Sequence, residues 1–238
     1  LDSENKGMSH VCSGHIKQAD LPLLAVFDGM GGESCGEMAA FLAAESCGQY
    51  YKEKKKELSE DPEQFMNGLC STMNHAVCHY GKENKINSMG TTAAMLAFGK
   101  ENVYSCNLGD SRIYQISSEG KLGQLSLDHV LGGGRFGKPP LTQYLGIPEE
   151  SMGLEPTIVP QKAEIGTRYL ICSDGITDML SDGEIADILT REISVSETVE
   201  LLVERALIKG GRDNITVTLC ELVEQEKSLF GKLLNYFL

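Results

Sequence analysis

Four aspartates stand beside short apolar runs, and this recurrence is the feature of the sequence that could carry chemistry. Asp28 follows LLAVF, Asp110 follows YSCNLG, Asp174 follows YLICS, and Asp213 lies in GGRDN just before the last apolar run. Each aspartate, taken alone, is explained as well by a turn or a helix cap. Together they predict a site, because strands of packed sheets end at a common rim and bring distant residues together.

Clustered carboxylates at one rim predict a divalent metal ion. Like charges that share a site cannot all ionise at neutral pH unless a cation offsets them. Oxygen ligands with several waters suit Mg²⁺ or Mn²⁺, whereas Zn²⁺ prefers nitrogen and sulfur donors. Glycine follows two of the aspartates directly, and we expect Gly29 and Gly175 to let the backbone turn sharply and bring a carbonyl oxygen to the ion.

The elements that must position these aspartates alternate between helical and strand patterns. Apolar spacing predicts a helix over residues 33–50, and a second helix begins at Asp61 with Pro62 in its first turn. Short β runs after Gly90 predict an antiparallel meander, and a loop rich in glycine and proline follows over about residues 128–153. A strand, two helices with capping boxes and a final strand come next. This order predicts an α+β fold class, with two antiparallel sheets packed face to face and helices outside.

Composition narrows the functional classes. The 238 residues carry a formal net charge of -13, which argues against nucleic acid as a partner. The eight cysteines lie mostly in apolar runs without a CxxC pair, which is typical of reduced thiols in a cytoplasmic protein.

We expect one monomeric catalytic domain over residues 1–223 and an amphipathic tail over 224–238. An exposed apolar stripe on that tail could dock on a membrane surface or a partner, but we favour a helix that closes over its own domain or leads into further sequence.

Five motifs give the sequence a resemblance to a known family. VFDGMGG, GTTAAMLAF, NLGDSR, LICSDGITDML and GGRDNITV resemble, in the same order, the motifs of the metal-dependent type 2C (PPM) Ser/Thr protein phosphatases, nearest the compact bacterial members. The resemblance covers roughly residues 21–223. It implies a four-layer α-β-β-α sandwich of two antiparallel sheets flanked by helix pairs, with a short flap loop and a binuclear Mn²⁺ or Mg²⁺ site at one edge.

The resemblance also implies roles for individual residues. Asp28 would bridge the two ions, Gly29 would give a backbone carbonyl to one of them, and Asp174 and Asp213 would hold the other. Asp110 would bind a third, weaker ion together with Asp174. Asp28, Asp174 and Asp213 would be the catalytic residues, because a water that bridges the ions would attack phosphorus directly. The substrates would be phosphoserine and phosphothreonine in proteins that a Ser/Thr kinase phosphorylates. The resemblance also implies that Asn214 stabilises the turn at Asp213.

The sequence departs from the family pattern in three places. A phosphate-binding Arg and an Asn-Glu-Asp motif normally precede the point where this chain begins, and we expect them upstream of Leu1 rather than replaced by Asp2 or Glu4. If they are missing, we expect a weakly held second metal and low turnover. Met30 stands where many eukaryotic members carry a histidine. Within the flap, Arg135 and Lys138 could meet phosphopeptide charge or face solvent.

Two other interpretations remain: one is an alternative to an active phosphatase, and the other is an alternative to a metal site at the rim. A catalytically weak or silent relative would act as a regulatory phosphoprotein-binding module, and loss of ligating carboxylates would distinguish it. His75 and His79, with Cys78 beside them, have spacing that invites a zinc site, but the acidic residue of HExxH is missing. We expect these histidines to be structural.

Overall fold

Ten strands and six helices form the described part of the chain. The structure is a computed structural model that describes residues 14–17, 20–30, 35–132 and 138–224. Asp2, Glu4, Arg135 and all but the first residue of the predicted tail lie outside these ranges. In chain order the elements are β1 (Leu23–Val26), β2 (Gly29–Met30), α1 (Gly36–Lys54), α2 (Glu57–Glu60), α3 (Pro62–Glu83), β3 (Gly90–Thr91), β4 (Ala93–Phe98), β5 (Asn102–Leu108), β6 (Arg112–Ile116), β7 (Leu122–Gln124), β8 (Thr157–Lys162), β9 (Arg168–Cys172), α4 (Asp174–Thr177), α5 (Asp182–Leu189), α6 (Val195–Ile208) and β10 (Val217–Glu221).

Two four-stranded antiparallel sheets carry the fold. One has the strand order β1-β4-β5-β8 and the other β10-β9-β6-β7, while β2 and β3 pair in a small two-stranded sheet. The predicted meander is wrong at one point, because the consecutive strands β5 and β6 belong to different sheets. The chain crosses between the sheets at Gly109, whose φ of 100° suits glycine and few other residues.

Strand β4 shows how the layers pack, because all six of its residues are buried. Successive side chains of a strand point to opposite faces. Met95 and Ala97 belong to the cluster that α1 and α3 cover, whereas Leu96 and Phe98 face the second sheet. Phe98 meets Tyr169 of β9 edge to face, with ring centroids 6.0 Å apart. The far side of β9 packs against α4, α5 and α6. These layers form an α-β-β-α sandwich, and the predicted fold class is confirmed.

Helix starts follow their capping residues. Asp61 accepts a hydrogen bond from the backbone N–H of Gln64 at 3.0 Å, and Pro62 begins α3 as predicted. Both predicted capping boxes are formed, at Ser181 for α5 and Ser194 for α6. An N-cap oxygen satisfies a backbone N–H that the first helical turn leaves without a partner.

Two elements differ from the sequence-based expectation. Helix α1 begins at Gly36 and ends at Lys54, later than the predicted 33–50, because Cys35 has the left-handed φ of 72° just before it. Strand β8 was not predicted, and it contains Pro160. This proline is tolerated because β8 is an edge strand that pairs only with β5.

Candidate metal centre

Strand pairing brings the four aspartates to one rim of the sandwich. Strand β9 pairs antiparallel with both β6 and β10, so the end of β9 lies beside the starts of the other two. Asp174 lies two residues after this end of β9, whereas Asp110 and Asp213 precede β6 and β10. In the other sheet Asp28 follows β1, where its carbonyl accepts a hydrogen bond from the Thr92 N–H at 2.9 Å.

A buried pair of hydroxyl groups connects Asp28 with the Asp110 turn. The Asp28 N–H donates to Thr92 Oγ1 at 3.1 Å, and Thr92 Oγ1 lies 2.7 Å from Ser111 Oγ. Thr92 and Ser111 are buried, and Ser111 directly follows Asp110. Hydrogen bonds of this kind fix backbone positions because a buried polar group is costly to leave unpaired. The two hydroxyls therefore hold the sheet edges that carry Asp28 and Asp110 in a fixed relation.

The glycines after Asp28 and Asp174 serve close packing rather than a sharp turn. Gly29 and Gly175 are absent from the glycines with positive φ, so neither needs a left-handed conformation. A Cβ on Gly29 would overlap the carbonyl oxygen of Gly36 at the start of α1. A Cβ on Gly175 would overlap the carbonyl oxygen of Asn214 beside Asp213. The predicted sharp turn is wrong, because these glycines let the backbones of neighbouring elements approach; the predicted carbonyl contact with an ion stays a prediction.

Asp174 is the most deeply buried carboxylate of the group, with 6% of its surface exposed. Its Oδ2 forms an ion pair with Lys138 Nζ, and its Oδ1 has no hydrogen-bond partner among the described residues. Ser173 precedes it and is fixed by two bonds, donating to the Asn214 carbonyl and accepting from the Thr216 N–H. A buried carboxylate oxygen without a protein partner is costly unless an ion or water satisfies it.

The pKa of Asp28 shows that several negative charges lie close together at this rim. The pKa of Asp28 is raised from 3.8 to about 6, first by burial and then by the carboxylate of Asp213. Asp110 and Asp178 raise it further, while Lys138 lowers it. The carboxylates at this rim therefore interact, and Lys138 compensates the charged form of Asp28 only in part.

Asp213 occupies a more open position than the other three aspartates. It is exposed, and its Oδ1 accepts the backbone N–H of Asn214 at 2.8 Å. The Asn214 carbonyl in turn accepts from Ser173 Oγ at 3.3 Å. The backbone of Asn214 thus connects the turn at Asp213 with the end of β9, in line with its expected role.

Sequence reasoning missed Asp178, Thr92 and Ser111, and it left Lys138 undecided. Asp178 is four residues after Asp174, and its N–H donates to the Asp174 carbonyl at 2.8 Å, so the spacing along SDGITD was an available signal. The hydroxyl pair had no such signal, because Thr92 and Ser111 meet only through the register of two sheets. Lys138 lies against Asp174 and Asp110 rather than in solvent alone.

The donor set fits a hard divalent cation. The groups that meet at the rim are carboxylate oxygens, which suit Mg²⁺ and Mn²⁺, and Asp174 Oδ1 is buried and unpartnered within the described part. No three His, Cys, Asp or Glu side chains in the described ranges form a closed ligand group. The ammonium of Lys138 instead lies within ion-pair distance of two of these carboxylates, those of Asp110 and Asp174. His75 and His79 lie exposed on α3 with ring centroids 5.9 Å apart, as part of the helix surface.

Sequence comparison places the chain among bacterial phosphatases. Residues 11–209 match the family model described as Protein phosphatase 2C. The serine/threonine phosphatase stp of Listeria welshimeri is 32% identical over 213 residues, which cover 84% of this chain and 84% of the relative. The protein phosphatase PhpP of Streptococcus pneumoniae is 29% identical over 226 residues, covering 89% of this chain and 90% of the relative.

Solved structures give the same result. The S. agalactiae serine/threonine phosphatase superposes with a TM-score of 0.75 at 29% identity, covering 86% of this chain and 88% of the other. The catalytic domain of the phosphatase PstP in complex with two manganese ions superposes with a TM-score of 0.73 at 31% identity, covering 85% and 88%. The family model covers most of the chain and these folds superpose on it, so the chain belongs to the protein phosphatase 2C family.

Proposed function

We propose that this chain is a metal-dependent phosphoprotein phosphatase that hydrolyses phosphoserine and phosphothreonine with two Mn²⁺ or Mg²⁺ ions. The observation that carries the proposal is the deeply buried Asp174, whose Oδ1 lacks a partner among the described residues at a rim where Asp28 has a raised pKa. A site of this charge favours a divalent cation. The relatives named serine/threonine phosphatase, and the manganese complex of PstP, support the choice of reaction and metal.

The proposed ligands divide between the two sheets. Asp28, with the backbone carbonyl of the exposed Gly29, would hold ions from the β1 side of the rim. Asp174 and Asp213 would hold an ion from the β9 and β10 side, and Asp110 would contribute to a third position with Asp174. The hydroxyl of Thr92 keeps Asp28 in place by accepting its backbone N–H at 3.1 Å.

Bound ions of this kind supply Lewis acidity, which lowers the pKa of water and neutralises charge on the phosphoryl oxygens. The protein contributes the carboxylates of Asp28, Asp174 and Asp213, which would hold the ions and so orient this chemistry. A covalent route through Cys172, two residues before Asp174, is disfavoured because burial raises the pKa of this thiol to about 12. A thiol needs its thiolate form to attack phosphorus. Direct hydrolysis therefore fits the site better than a phosphoenzyme.

The substrates would be phosphoproteins modified by a Ser/Thr kinase. We place the protein in the cytoplasm, because its described cysteines are free. We expect no nucleic-acid partner, because the net charge is -13. We expect the protein to act as a monomer. None of the described helices has the length and apolarity needed to cross a bilayer.

Manganese-dependent phosphate release from a phosphothreonine peptide and from p-nitrophenyl phosphate tests the proposal. Loss of one metal-binding carboxylate removes several kcal/mol of transition-state stabilisation, so Asp174→Asn should lower the rate about 100-fold or more. Asp187→Asn, an exposed aspartate of α5, is the matched control and should act like the unmodified protein. Equal rates for Asp174→Asn and the unmodified protein would reject the mechanism. If the unmodified protein and both variants release no phosphate, with or without Mn²⁺, the result would instead favour the silent binding module.

A further inference from the structure

A lysine side chain occupies the acidic rim. Lys138 Nζ forms an ion pair with Asp174 Oδ2 and lies 3.5 Å from Asp110 Oδ2. Its side chain is 47% exposed, whereas the side chains of Asp110 and Asp174 are only 13% and 8% exposed. The lysine side chain is therefore about half exposed, and its charged end contacts two largely buried carboxylates.

This ammonium is a partial substitute for a cation. One unit of positive charge faces at least two carboxylates, and the second oxygen of Asp174 still lacks a partner in the described part of the chain. The influence of Lys138 also reaches Asp28, for which it is the stabilising charge among three destabilising ones. A tethered ammonium compensates such a site only incompletely, because it carries one positive charge where Mn²⁺ or Mg²⁺ carries two.

We propose that Lys138 is a built-in competitor for the metal ion that Asp110 and Asp174 would share, so that this ion binds only by displacing the lysine. The inference rests on the proposed function and adds a residue that sets the metal affinity of one position in the site. A tethered group acts at a high effective concentration, because its linker keeps it near the site. An ion from solution must therefore outcompete a partner that is always present.

The location of Lys138 has a second explanation, in which its ammonium meets the phosphate of a substrate. The two explanations make different predictions for binding of the metal alone. A competitor weakens metal binding in the absence of any substrate. A phosphate contact leaves metal binding unchanged and weakens substrate binding only.

Isothermal titration of Mn²⁺ into the metal-free protein separates these possibilities. Lys138→Met keeps most of the aliphatic stem without the charge. The weakest Mn²⁺ site of this variant should gain at least about fivefold in affinity, which is the effect of removing one competing ion pair. Lys138→Arg retains the charge and should remain near the unmodified protein. Lys121→Met, an exposed lysine in the turn before β7, is the matched control for a lost surface charge. Lys138→Gln, with the Mn²⁺-induced rise in melting temperature as readout, provides a second neutral variant.

Identical Mn²⁺ stoichiometry and affinity in Lys138→Met, Lys138→Gln and the unmodified protein would overturn the inference while leaving the phosphatase proposal intact. Failure of every protein to bind Mn²⁺ would overturn the proposed function, and the inference with it. Unchanged Mn²⁺ binding with a raised KM for the phosphothreonine peptide would assign Lys138 to the substrate and reject competition.

Discussion

Replacing Asp28 with asparagine is expected to stabilise the metal-free protein, although Asp28 is a proposed metal ligand. In the folded chain, burial and the carboxylates of Asp213, Asp110 and Asp178 raise the pKa of Asp28 from 3.8 to about 6, and Lys138 offsets only part of this effect. A group whose folded pKa is raised is more stable in the protonated form. Its contribution to stability is present below the unfolded pKa and is lost as pH rises through about 6.

The size of the effect follows from the pKa difference. The two values differ by 6 - 3.8, or about 2.2 units, and one unit is about 1.36 kcal/mol. Charged Asp28 therefore costs the metal-free protein about 3 kcal/mol at pH 7. Asparagine is neutral at every pH and avoids this cost. For a chain of this length, about 3 kcal/mol corresponds to a rise of about 6 to 12 °C in melting temperature.

Thermal unfolding in EDTA between pH 4 and pH 7.5 measures the prediction. The difference in melting temperature between Asp28→Asn and the unmodified protein should be largest above pH 6 and become small towards pH 4, because Asp28 is then protonated in the folded state and only about half ionised in the unfolded state. Asp187→Asn controls for the loss of an exposed carboxylate and should shift the curve little at any pH. Saturating Mn²⁺ should reverse the order, since only the unmodified protein gains full ligand stabilisation.

A melting temperature for Asp28→Asn that equals or falls below that of the unmodified protein at pH 7 in EDTA would refute the reasoning. That result would mean that Asp28 is well solvated or already compensated, and that the rim does not concentrate negative charge. A difference independent of pH would reject the titration of Asp28 as its cause.

Three further predictions concern the scaffold of the site. Gly175→Ala places a Cβ against the Asn214 carbonyl, so phosphate release should fall at least about tenfold while far-UV circular dichroism stays unchanged. Arg168→Gln removes an ion pair and three hydrogen bonds to backbone carbonyls at and after the end of α5, and chemical denaturation should show a loss of about 2 to 3 kcal/mol; a loss below 0.5 kcal/mol would contradict this. Ser194→Ala removes the cap of α6, and the same measurement should show a loss of about 1 kcal/mol, with an unchanged midpoint as the contrary outcome.

Much of the scaffold is predictable because local signals determine it. Asp61 with Pro62, and the serines of two capping boxes, mark helix starts that the structure reproduces. The buried strands are readable as apolar runs, and their ends place the four aspartates. These features depend on neighbours in sequence, and local patterns capture such interactions well.

Features that depend on distant neighbours were missed. Strand β8 contains Pro160, which reads as a break unless its place at a sheet edge is known. The switch of the chain from one sheet to the other at Gly109 follows from how the sheets pack, and no local pattern reports it. The contact of Lys138 with Asp174 joins a loop to the end of a strand. The glycine requirement at Gly29 was anticipated for a different reason, because the crowding by Gly36 is visible only in three dimensions.

The central claim is that aspartates from both sheets together hold divalent cations. Crystals soaked in Mn²⁺ and measured on both sides of the manganese absorption edge test it most directly. Anomalous difference density should appear between Asp28, Asp174 and Asp213, at two positions about 3.5 to 4 Å apart. A map without anomalous peaks at this rim, from crystals that diffract well in saturating Mn²⁺, would contradict the account.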